Sequence, residues 1–273
     1  MFSTLSPGRR LAFAAGGVVA VLALLVLGCA AVIHQAQPPG SRHDAGSAPS
    51  AVPPVSSVSA PGSLAGALTP AQSADVASDI ALLTAAHSVA PATSSRHPAI
   101  TGVAKSQPDL YARAFATRLL TQDYRTPRAD LLAWVQSESV QSSEPLVVGL
   151  VPTELRHKLA VYSVAEAIDG SSVPVPSLRD WADWAARHAF TTVTIQKVVE
   201  PLKWSEAVAS GELADPGITA REVDALVVTH WTEGGTPKTS THSIALSLTL
   251  EGPPSHGGYG FVTAVTYQSV AVS

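Results

Sequence analysis

An α+β domain is predicted for residues 105–273, helices first and then a curved four-stranded antiparallel sheet, and three observations predict it. Apolar residues recur at helical spacing up to about residue 189 and at alternate positions beyond it. Gly/Pro-rich turns cut the second part into strand-length runs. All aromatic residues except Phe2 and Phe13 lie at or beyond Tyr111, so only this part owns the large side chains that anchor a core.

Gln107-Pro108-Asp109 opens the first helix of the domain, expected to about Leu120, with Leu110, Tyr111, Ala114, Phe115, Arg118 and Leu119 on one stripe. Thr126-Pro127 caps a second helix, from about Arg128 to Val140, presenting Leu131, Leu132 and Val135, with Trp134 a further candidate for that face. Ser177 is the N-cap of a third, from Leu178 to Ala189, in which Trp181, Trp184 and Ala185 share a face.

Strand-like runs follow at 191–204, 219–233, 238–250 and 259–272, the last three separated by Gly234-Gly235-Thr236-Pro237 and by the segment from Gly252 to Gly258. Ile244, Leu246, Leu248 and Leu250 define one face. A loop of two or of four residues gives an odd pairing sum, which brings Val223, Ala225, Val227 and Trp231 to that same face.

Upstream of the domain the chain changes character twice. From Leu11 to Ile33 there is no charge, a length of roughly 35 Å as a helix against a hydrocarbon core of about 30 Å, so one transmembrane helix is expected. Arg9 and Arg10 precede it, which places the N-terminus in the cytoplasm and the rest outside. Val26-Leu27-Gly28-Cys29 offers an alternative, a lipoprotein anchored through Cys29 with the same topology. The organisation expected is therefore a cytoplasmic tip and membrane helix over 1–36, a Pro/Ala/Ser-rich linker over 37–104 and the extracytoplasmic domain over 105–273. The linker is too poor in large apolar groups to offset the entropy of folding, and as a random coil it reaches on the order of 45 Å. Within it, Thr69-Pro70 reads as a helix start, with Val76, Ile80 and Leu83 at helical spacing; a frayed helix in a tether and a helix docked on the domain or a partner both fit.

Charge and cysteine content exclude several functions. Residues 101–273 carry 13 Lys+Arg against 18 Asp+Glu with no basic run, so direct nucleic-acid binding is not expected. Cys29 is the only cysteine, which leaves no intramolecular disulfide and no Cys-based zinc site. His230 and His242 tempt as a metal pair, but the register separates them onto opposite faces. His256 sits in a Gly/Pro-rich loop and reads as solvated. Glu222, Asp224 and Glu233 read as solvent-face charges, and Trp181 with Trp184 as core rather than as a ligand pocket. No catalytic, cofactor-binding or metal residue is assigned, no cofactor is expected, and the chain reads as a non-enzyme.

The run from Tyr111 to Pro127, Tyr-Ala-Arg-Ala-Phe-Ala-Thr-Arg-Leu-Leu-Thr-Gln-Asp-Tyr-Arg-Thr-Pro, and Glu200-Pro-Leu-Lys-Trp204 resemble bitopic proteins of actinobacterial conjugative elements. These are similar to TcpC-type assembly factors of type IV secretion, and the order of elements looks like the nuclear transport factor 2-like cone. The resemblance implies a membrane-anchored scaffold of a conjugation-type envelope complex, with other secretion-complex proteins or further copies of itself as partners and the membrane reached through the stretch from Leu11 to Ile33. Mce-associated accessory or ligand-binding proteins, and less closely small isomerases, look similar too.

Overall fold

The computed structural model describes residues 70–86, 97–149, 151–166 and 172–272. They hold, in order, α1 (Pro70–Ala85), α2 (Pro108–Leu120), α3 (Arg128–Glu138), α4 (Pro145–Val148), α5 (Arg156–Ala165), α6 (Leu178–Ala186), β1 (Phe190–Val199), α7 (Leu202–Ser210), β2 (Ile218–Glu233), β3 (Thr236–Glu251) and β4 (Gly260–Val272). The strands form one antiparallel meander in the order β1-β2-β3-β4.

The β2–β3 hairpin follows from its turn. Gly234 and Gly235 have φ of 56° and 77°, the left-handed pair that a two-residue turn matched to strand twist demands. Glu233 then pairs with Thr236, and the register carries Val223 opposite Leu246 and Ala225 opposite Ile244. The hydrophobic alternation of the two strands is thereby aligned on one face.

That face is covered by α2, α3 and α5. Phe115 sits at the centre, stacked on Trp134 at 5.1 Å and on Phe261 of β4 at 4.3 Å between ring centroids. Leu246, Leu248 and Leu250 complete the same cluster from the sheet side. Glu138, at the end of α3, is buried against it: its Oε1 accepts from the Ile100 amide at 2.7 Å and its Oε2 from the Tyr111 hydroxyl at 3.1 Å. This carboxylate stitches the stretch before α2 to the core. Burial, with the Glu138 charge beside it, pushes the Tyr111 phenol far above its ordinary range. At the end of the sheet, Arg221 pairs with Asp109 at the start of α2 and, at 3.0 Å, with Glu200 after β1.

Helix α1 docks on α5. Leu83 packs with Tyr162, flanked by Val151 and Leu155, and Lys158 Nζ donates to the Thr84 and Ala86 carbonyls at 3.0 and 2.7 Å. A cation on the last carbonyls of a helix satisfies groups that have no partner within it. Leu83→Ala is expected to weaken this docking by about 2 kcal/mol and so to raise protease cleavage within residues 70–86 on the order of thirtyfold. The melting temperature of the remaining fold should stay unchanged; a whole-domain shift in a thermal melt would refute the local picture.

Two expectations are corrected. No described helix is long and apolar enough to cross a membrane, so the α+β fold seen here does not begin with a transmembrane helix. The longest described helix, α1, has 16 residues and carries Asp75 and Asp79, where a span needs about 20 apolar residues. The segment from Leu11 to Ile33 lies outside the described residues. The nuclear transport factor 2-like cone with every helix ahead of every strand is not the arrangement either. The expected strand over 191–204 ends at Val199, because Pro201 has no N–H for a ladder and holds Glu200 extended, and α7 follows between β1 and β2.

Candidate functional site

The residues that the sequence singles out are dispersed. His230 stacks on Phe190 at 4.6 Å, with Nε2 3.1 Å from Thr192 Oγ1. His242, on the opposite face beside Val227, has Nε2 3.0 Å from Ser240 Oγ. Among the described residues no three His, Cys, Asp or Glu side chains are placed to hold a metal ion. Glu222 and Glu233 are exposed and Asp224 half-buried; Glu222 and Asp224 are neighbours on one face of β2, with Glu233 at the far end of the strand. Trp181 is buried and donates its indole N–H to the Thr126 carbonyl at 3.0 Å; Trp184 is wedged between Tyr124 and Trp231. The tryptophans fill space rather than line it.

The structure does assemble one polar cluster that sequence reasoning missed. It joins the loop before α4, the start of β2, the end of β3 and the turn into β4. Glu144, buried at 1% exposure, caps α4 by accepting from the Leu146 amide at 3.3 Å and reaches the Asp215 amide at 2.7 Å. Asp215 in turn accepts from the Gly217 amide at 2.7 Å and from the Ser255 hydroxyl. Glu251, also buried, has Oε1 2.9 Å from His256 Nε2, so His256 is seated on a carboxylate rather than merely solvated. The strand ends can approach this closely because Gly217 faces Gly252: their backbones share a 2.9 Å hydrogen bond, and a Cβ on Gly217 would run into the Gly252 carbonyl.

The electrostatics of the cluster oppose each other. The Ser255 hydroxyl, first, and the Gly217 amide hold Asp215 below the usual carboxylate range. Burial pushes Glu251 up, the Asp215 charge adds to the push, and Ser142 and His256 resist it. Chemically this is a loop clamp. Ser255 is bonded to Asp215 and not to His256, so the Ser–His hydrogen bond that activates a hydroxyl nucleophile is not made.

A pH prediction follows from the Glu251 direction. A carboxyl whose folded pKa is raised favours the fold while protonated, and that contribution is lost as pH rises through the folded pKa. Glu251→Gln keeps the uncharged form at every pH. Its melting temperature should match the parent below the ordinary carboxylate range and exceed it by a margin that grows as pH rises through the raised Glu251 pKa. A variant less stable than the parent at neutral pH would show that pairing with His256 outweighs burial. Asp215→Asn should act with the opposite sign, losing stability at neutral pH and converging with the parent as pH falls through the depressed Asp215 pKa.

The second feature is a surface. On the sheet face away from α2 and α3, the half near the start of β2 is covered: Trp204 of α7 packs with Val147, Val148, Ile218, Ala220 and Val262. The other half has no helix in that cluster. There Thr192 and Thr194 pair with Val228 and Leu226, which pair with Thr241 and Ser243, which pair with Val272 and Val270. No charged residue lies in that patch, and none occurs in 239–250 or in 252–273. Leu226 and Val228 are half-buried, whereas Val270 and Val272 are 52% and 50% exposed. The signal was in the sequence, as a charge-free run broken only by Glu251, but alternation alone assigns that face to solvent.

The chain matches no family model, no curated protein and no solved structure. Geometry and sequence pattern therefore carry the functional reading by themselves.

Proposed function

We propose that the chain is a non-enzymatic, membrane-anchored assembly component of a conjugation-type, type IV secretion envelope complex, working through surfaces of its domain outside the cytoplasm. Anchoring runs through the charge-free stretch from Leu11 to Ile33, with Arg9 and Arg10 on the cytoplasmic side. The observation that supports the reading is the uncharged half of the outer sheet face, on a domain that otherwise carries a net negative charge. Partners are other envelope proteins and further copies of the chain.

The test is to replace residues 1–33 by a cleavable secretion signal in a strain deleted for the gene and to measure DNA transfer. A tethered scaffold loses transfer by on the order of a hundredfold, because release lowers its effective concentration at the membrane. Full complementation by the released domain would overturn the proposal. So would loss of transfer in His256→Ala with the domain still folded, since that result calls for a reactive centre.

A further inference from the structure

We propose that the distal part of β4 is an open strand edge that pairs, antiparallel and about a twofold axis, with the same edge of a second copy of this chain. The two outer strands of the sheet are treated differently. β1 is blunted along its length: the Thr191 amide bonds to the Gln122 carbonyl at 2.8 Å, Asp123 bridges Phe190, the register slips between Ile195 and Lys197, and Pro201 follows. A bulge, an edge lysine and a proline are the devices by which natural sheets keep their edges from joining others.

β4 is protected only at its beginning. The Val140 amide bonds to the Phe261 carbonyl at 2.9 Å, and the Ala264 amide donates to Ser163 Oγ of α5 at 3.0 Å. Beyond Ala264, among the described residues, the β4 backbone bonds only to β3. A register slip near Thr266 bends the strand, and after it residues 268–272 pair with β3 without interruption. This last stretch, Gln-Ser-Val-Ala-Val, has neither charge nor proline nor glycine. An uncharged, β-prone, unblocked edge is a template for strand addition.

Charge decides the occupant. Residues 101–273 carry 18 acidic against 13 basic groups, so two copies repel over most of their surface and can approach closely only where charge is missing. The charge-free patch ends at this edge. A register centred on Val270 sets that residue opposite its own mate and Val272 opposite Gln268, so the outer-face valines of the two copies form one strip across the seam. The contact is isologous and closes at two copies. It rests on the interaction reading for its biological use, but its geometry is independent of which complex the chain joins.

The test uses the full chain in its membranes with Cys29→Ser, which removes the only native thiol. Single cysteines are placed from Gln268 to Val272 and, on the other edge, at Thr194. Directly opposed residues in a non-hydrogen-bonded antiparallel pair lie about 4.5 Å apart at Cα, within disulfide reach. The expected result is a disulfide dimer that peaks at Val270→Cys, with Thr194→Cys at background. Adding Val270→Lys to a chain carrying both Gln268→Cys and Val272→Cys, which face each other across the seam, should reduce cross-linking about tenfold, because like charges then face each other. Val270 is half-exposed, so this variant keeps the fold, and Ala271→Pro gives a second way to block the edge. Equal cross-linking on both edges, or no dimer at any of the five positions, would overturn the pairing. If the dimer forms but Val270→Lys leaves DNA transfer intact, the pairing stands and the envelope role fails; if the dimer is absent while transfer still needs the anchor, the reverse holds.

Discussion

Phe115→Ala should cost about 3–5 kcal/mol, among the largest losses expected from a single truncation in this fold. Phe115 has no exposed surface and touches every layer of the core: Tyr111 within its own helix at 6.1 Å, Trp134 of α3 at 5.1 Å and Phe261 of β4 at 4.3 Å. Removing the ring takes away its transfer free energy and leaves a cavity walled by three other aromatic rings, which cannot all move in. Since domains of this size are held by only about 5–15 kcal/mol, urea denaturation should show a midpoint lowered by about a fifth or more. A loss below about 1 kcal/mol would mean that the neighbouring rings collapse into the space and that the stack is less rigid than drawn.

Glu138→Ala is expected to be nearly as damaging for a different reason. The carboxylate is the acceptor for both the Ile100 amide and the Tyr111 hydroxyl, in a place where water does not replace it. Leaving a buried donor unmade costs about 1–3 kcal/mol, so the two together amount to about 2–6 kcal/mol. Hydrogen exchange separates this from a cavity effect, because the Ile100 amide should lose protection in Glu138→Ala and keep it in Phe115→Ala. Glu138→Gln, which retains one acceptor oxygen, should recover part of the stability. If the amide of Ile100 is equally protected in both variants, Glu138 is not its partner.

What the sequence made legible was whatever depends on local pattern. Which face each hairpin strand buries was readable because alternation and either turn length give the same parity, and a slip by one residue would have exposed every leucine of β3; that Glu233 pairs with Thr236 rather than Lys238 comes from the structure. Helix α6 was readable from Ser177, which does accept from the Asp180 amide at 3.2 Å. Helix α5 was missed because it has no apolar stripe: Leu159, Ala160, Val161, Tyr162, Val164 and Ala165 are all buried, pressed between α1, α3 and β4. α7 was missed, its first three residues having been taken into an apparent strand over 191–204, although Pro201 before it and Gly211 after it, in the left-handed conformation, were its proper signals. The carboxylate cluster was illegible for another reason. Glu144, Asp215, Glu251 and His256 come from four separate stretches, and only the closed sheet end brings them together.

The docking of α1 has a mechanical consequence. A pull applied to the chain from its N-terminal side reaches α1 first, whose fastenings to α5 include the Leu83 contact with Tyr162 and the Lys158 ammonium on its last carbonyls. Next in line is the buried bond between Ile100 and Glu138, and behind it the whole aromatic core. Load therefore meets fastenings of rising strength, and the weakest yields while the sheet is still unstrained. Single-molecule stretching should record a small early extension at low force, separate from the main rupture. The helix serves the fold as a fuse, lengthening the strap before the surfaces it carries are pulled out of shape.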